Sequence, residues 1–181
     1  APDMAKAVVE ALQQADIPVQ LSNARGLDHG AWIPLSLMYP AADIPVTQLS
    51  LQPNQNPAWH IALGRALRPL REQGVLVIGS GSITHNLRAI FQHPRDEPVP
   101  QWATDFCNWI AEKIQAGDID ALSDYRRLAP YAVQNHPTDE HLLPLFVVLG
   151  VAGEATSAQR LNQVMTYGFL AMDAWLFAEG G

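Results

Sequence analysis

Three histidines of this sequence lie beside residues that suit chemistry: His29, His85 and His141. Asp28 precedes His29 in a glycine-bracketed loop, Glu140 precedes His141, and a cluster of glycine and serine precedes His85. Imidazole and carboxylate groups together bind divalent metals, and two histidines with one carboxylate on non-haem Fe(II) leave positions open for substrate and dioxygen. A further neutral imidazole can accept a proton near neutral pH, because its ordinary pKa is about 6.5. These segments predict a metal site with a proton-transferring histidine.

The stretch that leads to His85 is the most informative of the three. Residues 75–78 are aliphatic and run directly into the small residues 79–82, a pattern typical of a buried strand that ends at a tight loop. In an open α/β sheet, ligands bind beyond the carboxyl ends of the parallel strands. His85 is therefore predicted in the active-site crevice, although an ordinary turn followed by a capping histidine fits the same residues.

The other two segments also have plainer interpretations. His29 can be structural, although Asp28, His29 and Trp32 are residue types that active sites recruit in loops. The apolar run 142–149 predicts a buried helix that ends at Gly150, with Glu140 and His141 in its first turn. An acidic residue in that position complements the helix dipole even without a metal. Both interpretations stay open at this level.

The order of the predicted elements is that of an α/β domain. Strands alternate with helices, which predicts a mostly parallel central sheet with helices on both faces, a three-layer αβα architecture, in one catalytic domain over residues 1–181. Because the chain opens on a helix, we expect an N-terminal strand to be missing from it. The predicted strands are 17–21, 44–51, 75–78 and 167–174, and the predicted helices are 4–14, a segment ending at 38, 58–73, 86–91, 102–114, 119–128 and 142–149.

Three further residues of interest receive structural interpretations. His60, at the start of a predicted helix, is expected to cap that helix or face solvent, and His93 is expected in a surface loop over 93–100. Cys107 lies in a predicted helix and cannot form an internal disulfide, since the sequence has a single cysteine. A core-filling thiol in a protein of the reducing cytoplasm is therefore expected.

Composition and charge exclude several classes of function. With 48% apolar and 16% charged residues the chain is expected to form a packed globular fold rather than a disordered one. A net charge of -7, with no basic cluster larger than Arg126 and Arg127, argues against nucleic-acid binding. No apolar run has the length of a membrane span. We expect a soluble monomer or small homo-oligomer that acts on a small molecule.

Four ordered segments of the chain carry a resemblance to a known family: 26–32, 38–50, 80–87 and 137–145. They resemble the class III extradiol ring-cleavage dioxygenases, and the DOPA 4,5-dioxygenase-like branch most closely. The resemblance covers essentially the whole chain from the first helix to Phe177. It implies a non-haem Fe(II) enzyme, often isolated with zinc, that uses dioxygen to open a catechol ring beside its paired hydroxyl groups.

The resemblance also implies roles for individual residues. His85 resembles a histidine close to metal and substrate, which makes it both a metal ligand and the acid/base. Either Glu140 or His141 matches the last metal ligand. His29 resembles the histidine that faces the substrate hydroxyls, which implies a second catalytic residue that also binds substrate, with Asp28 and Trp32 beside it as substrate-binding residues.

The chain departs from the family pattern at its start. Members of the family begin with a strand, a His-Gly-Ser-Pro loop and a Ser-Ala-His-Trp segment whose histidines bind metal, and neither segment occurs here. The chain thus resembles the C-terminal two-thirds of a family domain. Two alternatives follow: an inactive metal-binding remnant that pairs with another chain, or a zinc hydrolase in which an open metal position activates water.

Overall fold

The structure, a computed structural model, describes residues 1–91, 98–154 and 156–179. Most of the predicted loop at 93–100, with His93, lies outside these residues. The described residues form the helices α1 (Pro2–Gln14), α2 (His29–Met38), α3 (Pro57–Leu67), α4 (Gln101–Ala116), α5 (Ile119–Ser123), α6 (Tyr125–Leu128), α7 (Ala132–Asn135) and α8 (Leu143–Ala152), the 3-10 helices Arg68–Gln73 and Leu87–Phe91, and the strands β1 (Thr156–Asn162), β2 (Met165–Thr166), β3 (Leu170–Ala171) and β4 (Ala174–Glu179).

Local sequence signals explain where most of the helices begin. Proline occupies the first turn of α1, α3 and α8, where its missing N–H costs no hydrogen bond. The side chains of Asp28, Asn56 and Asp118 cap α2, α3 and α5 by accepting a backbone N–H three residues later. The single helix predicted over 119–128 is wrong, because the chain breaks at Asp124 into α5 and α6.

Helix α8 joins the two largest groups of core side chains. It is apolar on every side, as the sequence predicts for a buried helix, and it continues two residues past Gly150. Phe146 packs with Phe106 and Tyr125 in one group, while Val147 packs with Leu12 in the other. Because α8 begins at Leu143, Glu140 and His141 lie in the turn before it, and the prediction that they lie in its first turn is wrong.

Helices α3 and α8 cross at a pair of glycines. A Cβ atom added to Gly150 would lie 2.9 Å from the Cα atom of Gly64 and would overlap the carbonyl oxygen of Ile61. A Cβ atom added to Gly64 would overlap the carbonyl oxygen of Val147. The two backbones therefore touch, and only glycine permits this approach.

The predicted three-layer αβα architecture with a mostly parallel sheet is wrong for the described residues. Their strands form two antiparallel pairs, β1 with β4 and β2 with β3. The predicted strands at 17–21, 44–51 and 75–78 belong to no helix or strand. The described residues do contain both helices and strands, as an α/β prediction requires, but their sheets are small.

The physical reason why the predicted strands do not form is clearest at residues 75–78. Val75 and Val77 pack against the core, but Leu76 is 60% exposed and Ile78 is 45% exposed. The segment is therefore buried on one face, whereas the sequence interpretation required burial on both. The strand predicted over 167–174 is also wrong, because the chain turns there between β2 and β3.

His60 and Cys107 lie in the interior. His60 is fully buried, so the prediction of a solvent-facing histidine is wrong: its Nδ1 lies 2.9 Å from the carbonyl oxygen of Asn56, and its Nε2 accepts the Gln52 N–H. Cys107 is buried as expected, and burial raises the pKa of its thiol to about 12.

A membrane crossing needs a longer apolar helix than any in the described ranges.

Candidate active site

The loop before His85 presses against the turn that carries His141. Gly81 lies so close to this turn that a Cβ atom on it would overlap the carbonyl oxygen of His141. The N–H of Ser82 donates to the same oxygen over 2.8 Å. The small residues of the glycine and serine cluster thus allow two segments almost 60 residues apart to come into contact.

The two imidazole rings stack where these segments meet. The ring centroids of His85 and His141 are 3.4 Å apart, and the ring planes differ by 11°. Burial lowers the pKa of His85, the neighbouring His141 lowers it further, and the carboxylate of Glu140 acts in the opposite direction. His85 is therefore neutral near pH 7 and able to accept a proton.

Glu140 completes this cluster with a negative charge. Its Oε1 lies 3.6 Å from Nδ1 of His141 and accepts a hydrogen bond from the Thr138 hydroxyl over 2.8 Å. Partial burial opposes ionisation of Glu140, but its own N–H, the Thr138 hydroxyl and the two histidines outweigh burial, so its pKa is lowered. The carboxylate is thus ionised beside the two rings.

The segment with Asp28 and His29 lies next to the loop that leads to His85. His29 is exposed and is the first residue of α2, while a Cβ atom on Gly30 would lie 3.5 Å from the hydroxyl oxygen of Ser80. The structure therefore brings the loops of His29 and His85 together, but the ring stack itself joins His85 to His141.

Asp28 is held in place by a residue that the sequence interpretation did not select. Gln48 accepts the Asp28 N–H through Oε1 and donates through Nε2 to Oδ2, each over 3.0 Å. The other carboxylate oxygen, Oδ1, accepts the Ala31 N–H as the cap of α2. Asp28 therefore fixes the start of α2, and through it the position of His29.

Trp32, predicted to bind substrate, lines a cavity of about 340 Å³ on one side of α2. The side chain is 52% exposed and lies one helical turn after His29. The lining is largely apolar, with Leu27, Trp32, Leu35, Tyr39, Ile44 and Val46 as its main members. An aromatic ring is of suitable size and polarity for such a cavity.

The donor atoms fit a metal ion only in part. An ion bound to imidazole lies in the plane of the ring, so two parallel rings 3.4 Å apart cannot both bind one ion in this arrangement. The 3.6 Å between Glu140 Oε1 and His141 Nδ1 is close to the ~3.4 Å that separates two donors on a tetrahedral ion. Nδ1 of His141 is buried and has no hydrogen-bond partner in the described chain. Glu140 and His141 therefore fit as two ligands.

A complete site requires more donors than these. Among residues 1–91, 98–154 and 156–179 no group of three or more histidine, cysteine, aspartate or glutamate side chains is placed to hold a metal ion. The geometry leaves His85 as a proton acceptor beside the Glu140 and His141 pair.

His136 is a further residue of this region that sequence reasoning did not single out. It is fully buried, and its Nε2 lies 2.7 Å from the carbonyl oxygen of Ile83, two residues before His85. Burial lowers the pKa of His136 to about 4. The hydrogen bond to the Ile83 carbonyl oxygen raises the pKa of His136, as does Asp139, whereas His85 and His141 lower it. Its ring is therefore neutral at pH 7.

The buried His136 predicts a loss of stability in acid. The unfolded chain binds a proton on this ring near its ordinary pKa of 6.5, but the folded protein does so only near pH 4. Between these values the unfolded state binds more protons, so the unfolding free energy falls as the pH falls, by about 3 kcal/mol from this residue. Urea unfolding at several pH values measures this change in unfolding free energy. In His136→Gln, the slope of the unfolding free energy against pH between pH 4.5 and 6 should decrease by the equivalent of nearly one bound proton. An unchanged slope would contradict the prediction.

A carboxylate beside a stacked histidine pair is suited to proton transfer. The apolar cavity that Trp32 lines lies along helix α2, whose first turn approaches the loop before His85. The family model described as "Catalytic LigB subunit of aromatic ring-opening dioxygenase" matches residues 1–175. The chain therefore belongs to this family of aromatic ring-opening dioxygenases, whose extradiol members generally depend on a non-haem metal.

Individual relatives narrow the comparison. The chain is 40% identical to the 4,5-DOPA dioxygenase extradiol of Mirabilis jalapa, over 90% of this chain and 60% of that protein. It is 41% identical to the protein of the same name from Escherichia coli K12, over 82% of this chain and 55% of that protein. The crystal structure of an uncharacterised E. coli K12 protein matches 97% of this chain and 72% of that chain, with a TM-score of 0.86 and 36% identity. The chain thus spans about three-fifths of the length of the curated relatives it matches.

Proposed function

We propose that the protein acts in extradiol cleavage of a catechol, with DOPA or a DOPA-like compound as substrate and dioxygen as co-substrate. Membership of the ring-opening dioxygenase family over residues 1–175 and the names of its relatives support this proposal. The observation that carries it is the stack of His85 on His141 beside Glu140, since a catechol must lose protons before its ring reacts. A cytoplasmic location, and a monomer or small homo-oligomer, remain predictions.

His85 is the proposed general base. Its imidazole is neutral at pH 7 because burial and His141 lower its pKa, so a ring nitrogen can take a proton from a substrate hydroxyl. The imidazolium that forms is stabilised by the carboxylate of Glu140, whose charge favours protonation of His85. The stack on His141 holds the acceptor ring in one orientation.

His29 and Trp32 are proposed to contact the substrate from helix α2. The Gln48 side chain fixes Asp28, and Asp28 fixes the first turn of the helix that presents His29. The apolar cavity beside Trp32 can accept the aromatic part of the substrate and exclude water from it. The imidazole of His29, one helical turn before Trp32, is proposed to donate a hydrogen bond to a hydroxyl group of the substrate.

Glu140 and His141 are the proposed metal-binding pair. When bound, Fe(II), or zinc in its place, would supply a positive charge that acidifies the catechol hydroxyls and orients the substrate. Any third protein ligand would come from outside the described residues.

Ring cleavage tests the proposed function directly. The protein is reconstituted with Fe(II) under anaerobic conditions, DOPA is added, and air is admitted while the visible absorbance is recorded. We expect a yellow ring-opened product. Metal binding in calorimetry without product would indicate the inactive remnant, and ester hydrolysis with zinc would indicate the hydrolase. Either result would overturn the proposal.

A further inference from the structure

The backbone around His85 is held from two sides by hydrogen bonds. The N–H of His85 donates to the carbonyl oxygen of Asn135 over 3.0 Å, and the Asn86 side chain donates to the carbonyl oxygen of Gln134 over 2.7 Å. On the other side, the Thr84 hydroxyl donates to the Phe169 carbonyl oxygen over 2.6 Å. The same hydroxyl accepts the N–H of Ala171 over 2.8 Å. The segment therefore has little freedom to move.

His136 supplies a further contact to this segment and is itself held rigidly. Its ring centroid lies 5.7 Å from that of Phe106 and 6.4 Å from that of Tyr125, so two aromatic rings fix its orientation. Arg126 donates to its carbonyl oxygen over 3.0 Å. The carbonyl oxygen of Ile83 can only accept, so the proton of the neutral His136 ring is on Nε2.

Asn135, the residue before it, is anchored equally well. It is fully buried, and its side-chain Nδ2 donates to the carbonyl oxygens of Trp102 and Tyr131, each over 3.0 Å. The consecutive residues 135 and 136 thus form one fixed support. Asn135 holds the N–H of His85, and His136 holds the carbonyl group two residues earlier.

We propose that His136 is a positioning residue for the proposed reaction, acting through the Ile83 carbonyl to keep the His85 ring stacked on His141. This inference rests on the proposed function, because it assumes that His85 is the base. A misplacement of about 1 Å at a reacting group can cost about 10²-fold in rate. Loss of the Nε2–H donor is therefore expected to lower the rate even when the volume of the ring is kept.

Two variants of His136 distinguish the effect of its Nε2–H donor from the effect of the volume that its ring fills. His136→Phe keeps an aromatic ring but removes the donor, and we expect it to lower kcat for DOPA about 10- to 100-fold with KM changed less than about 3-fold. His136→Gln places an amide N–H near the position of Nε2 and should restore most of kcat. Leu12→Ala is the control for lost stability, since Leu12 is fully buried in the other part of the core. That variant should be less stable but keep kcat.

A second measurement does not depend on activity. In protein labelled at histidine, nuclear Overhauser contacts between the ring protons of His85 and His141 report the stack. We expect these contacts in the wild-type protein and in His136→Gln, and their loss in His136→Phe. If His136→Phe keeps the ring contacts and the kcat of the Leu12→Ala control, the positioning role is wrong. If the wild-type protein cleaves no catechol, the proposed function fails separately, and the ring contacts still decide whether His136 positions His85.

Discussion

Replacing His85 with alanine is expected to lower the turnover of DOPA about 10²- to 10⁴-fold, the usual contribution of a general acid or base. The methyl group cannot accept the proton of a substrate hydroxyl, and no stack on His141 remains. The fold should be retained, because the segment is held through the backbone N–H of residue 85 and through Thr84, which the substitution leaves in place. Initial rates with Fe(II) and air, together with the urea midpoint, measure both effects.

The control for this variant is an exposed residue on a strand that carries no histidine. Gln159 faces solvent on β1, so Gln159→Ala should keep both the turnover and the stability of the wild-type protein. If His85→Ala retained more than a tenth of the wild-type turnover, His85 would not be the base. A loss of turnover accompanied by an equally large loss of folded protein would contradict the expectation that the loop does not depend on this ring.

The loop before His85 was predictable from local sequence, but its contact with the turn that carries His141 was not. The cluster of small residues before His85 predicts a loop at a ligand site, and the structure places His85 against His141. Gly79 and Gly81 permit this, since a Cβ atom on either would overlap atoms of the turn before α8 or of its first residues. The sequence shows that the residues are small, but not which segment presses against them.

The strand predictions failed because strand pairing is not local. An aliphatic run such as 75–78 reports that some of its side chains are buried, and Val75 and Val77 are indeed packed against the core. It does not report whether another backbone lies alongside to accept its N–H groups. The exposure of Leu76 and Ile78 contradicts the predicted buried strand, yet both are aliphatic like the partly buried Val75 and Val77.

The supporting residues were missed because single hydrogen bonds leave no periodic signal. Gln48 lies 20 residues from Asp28, and His136 lies 53 residues from Ile83. Neither pair follows a helical or strand spacing. His60 shows the same limitation: its position suggests a helix cap or a solvent-facing residue, but its two ring nitrogens contact Asn56 and Gln52 inside the protein.

Substitution of Gly64 by alanine is expected to destabilise the protein by about 3 kcal/mol or more, the upper range for overpacking. In most helix interiors this change would stabilise by about 1 kcal/mol, because alanine has the higher helix propensity. Here the added methyl group would meet the carbonyl oxygen of Val147, a backbone atom that cannot move aside without displacing α8. Because α8 packs in both large parts of the core, separating it from α3 weakens both.

Urea unfolding of Gly64→Ala, Gly150→Ala and a control on the same helix tests this explanation. Gly150→Ala should be destabilised to a similar extent, since its methyl group would meet the carbonyl oxygen of Ile61. Ala62 is exposed on α3, so Ala62→Gly should cost only the propensity difference of about 1 kcal/mol. If Gly64→Ala were as stable as the wild-type protein, the two helices could not cross at this distance.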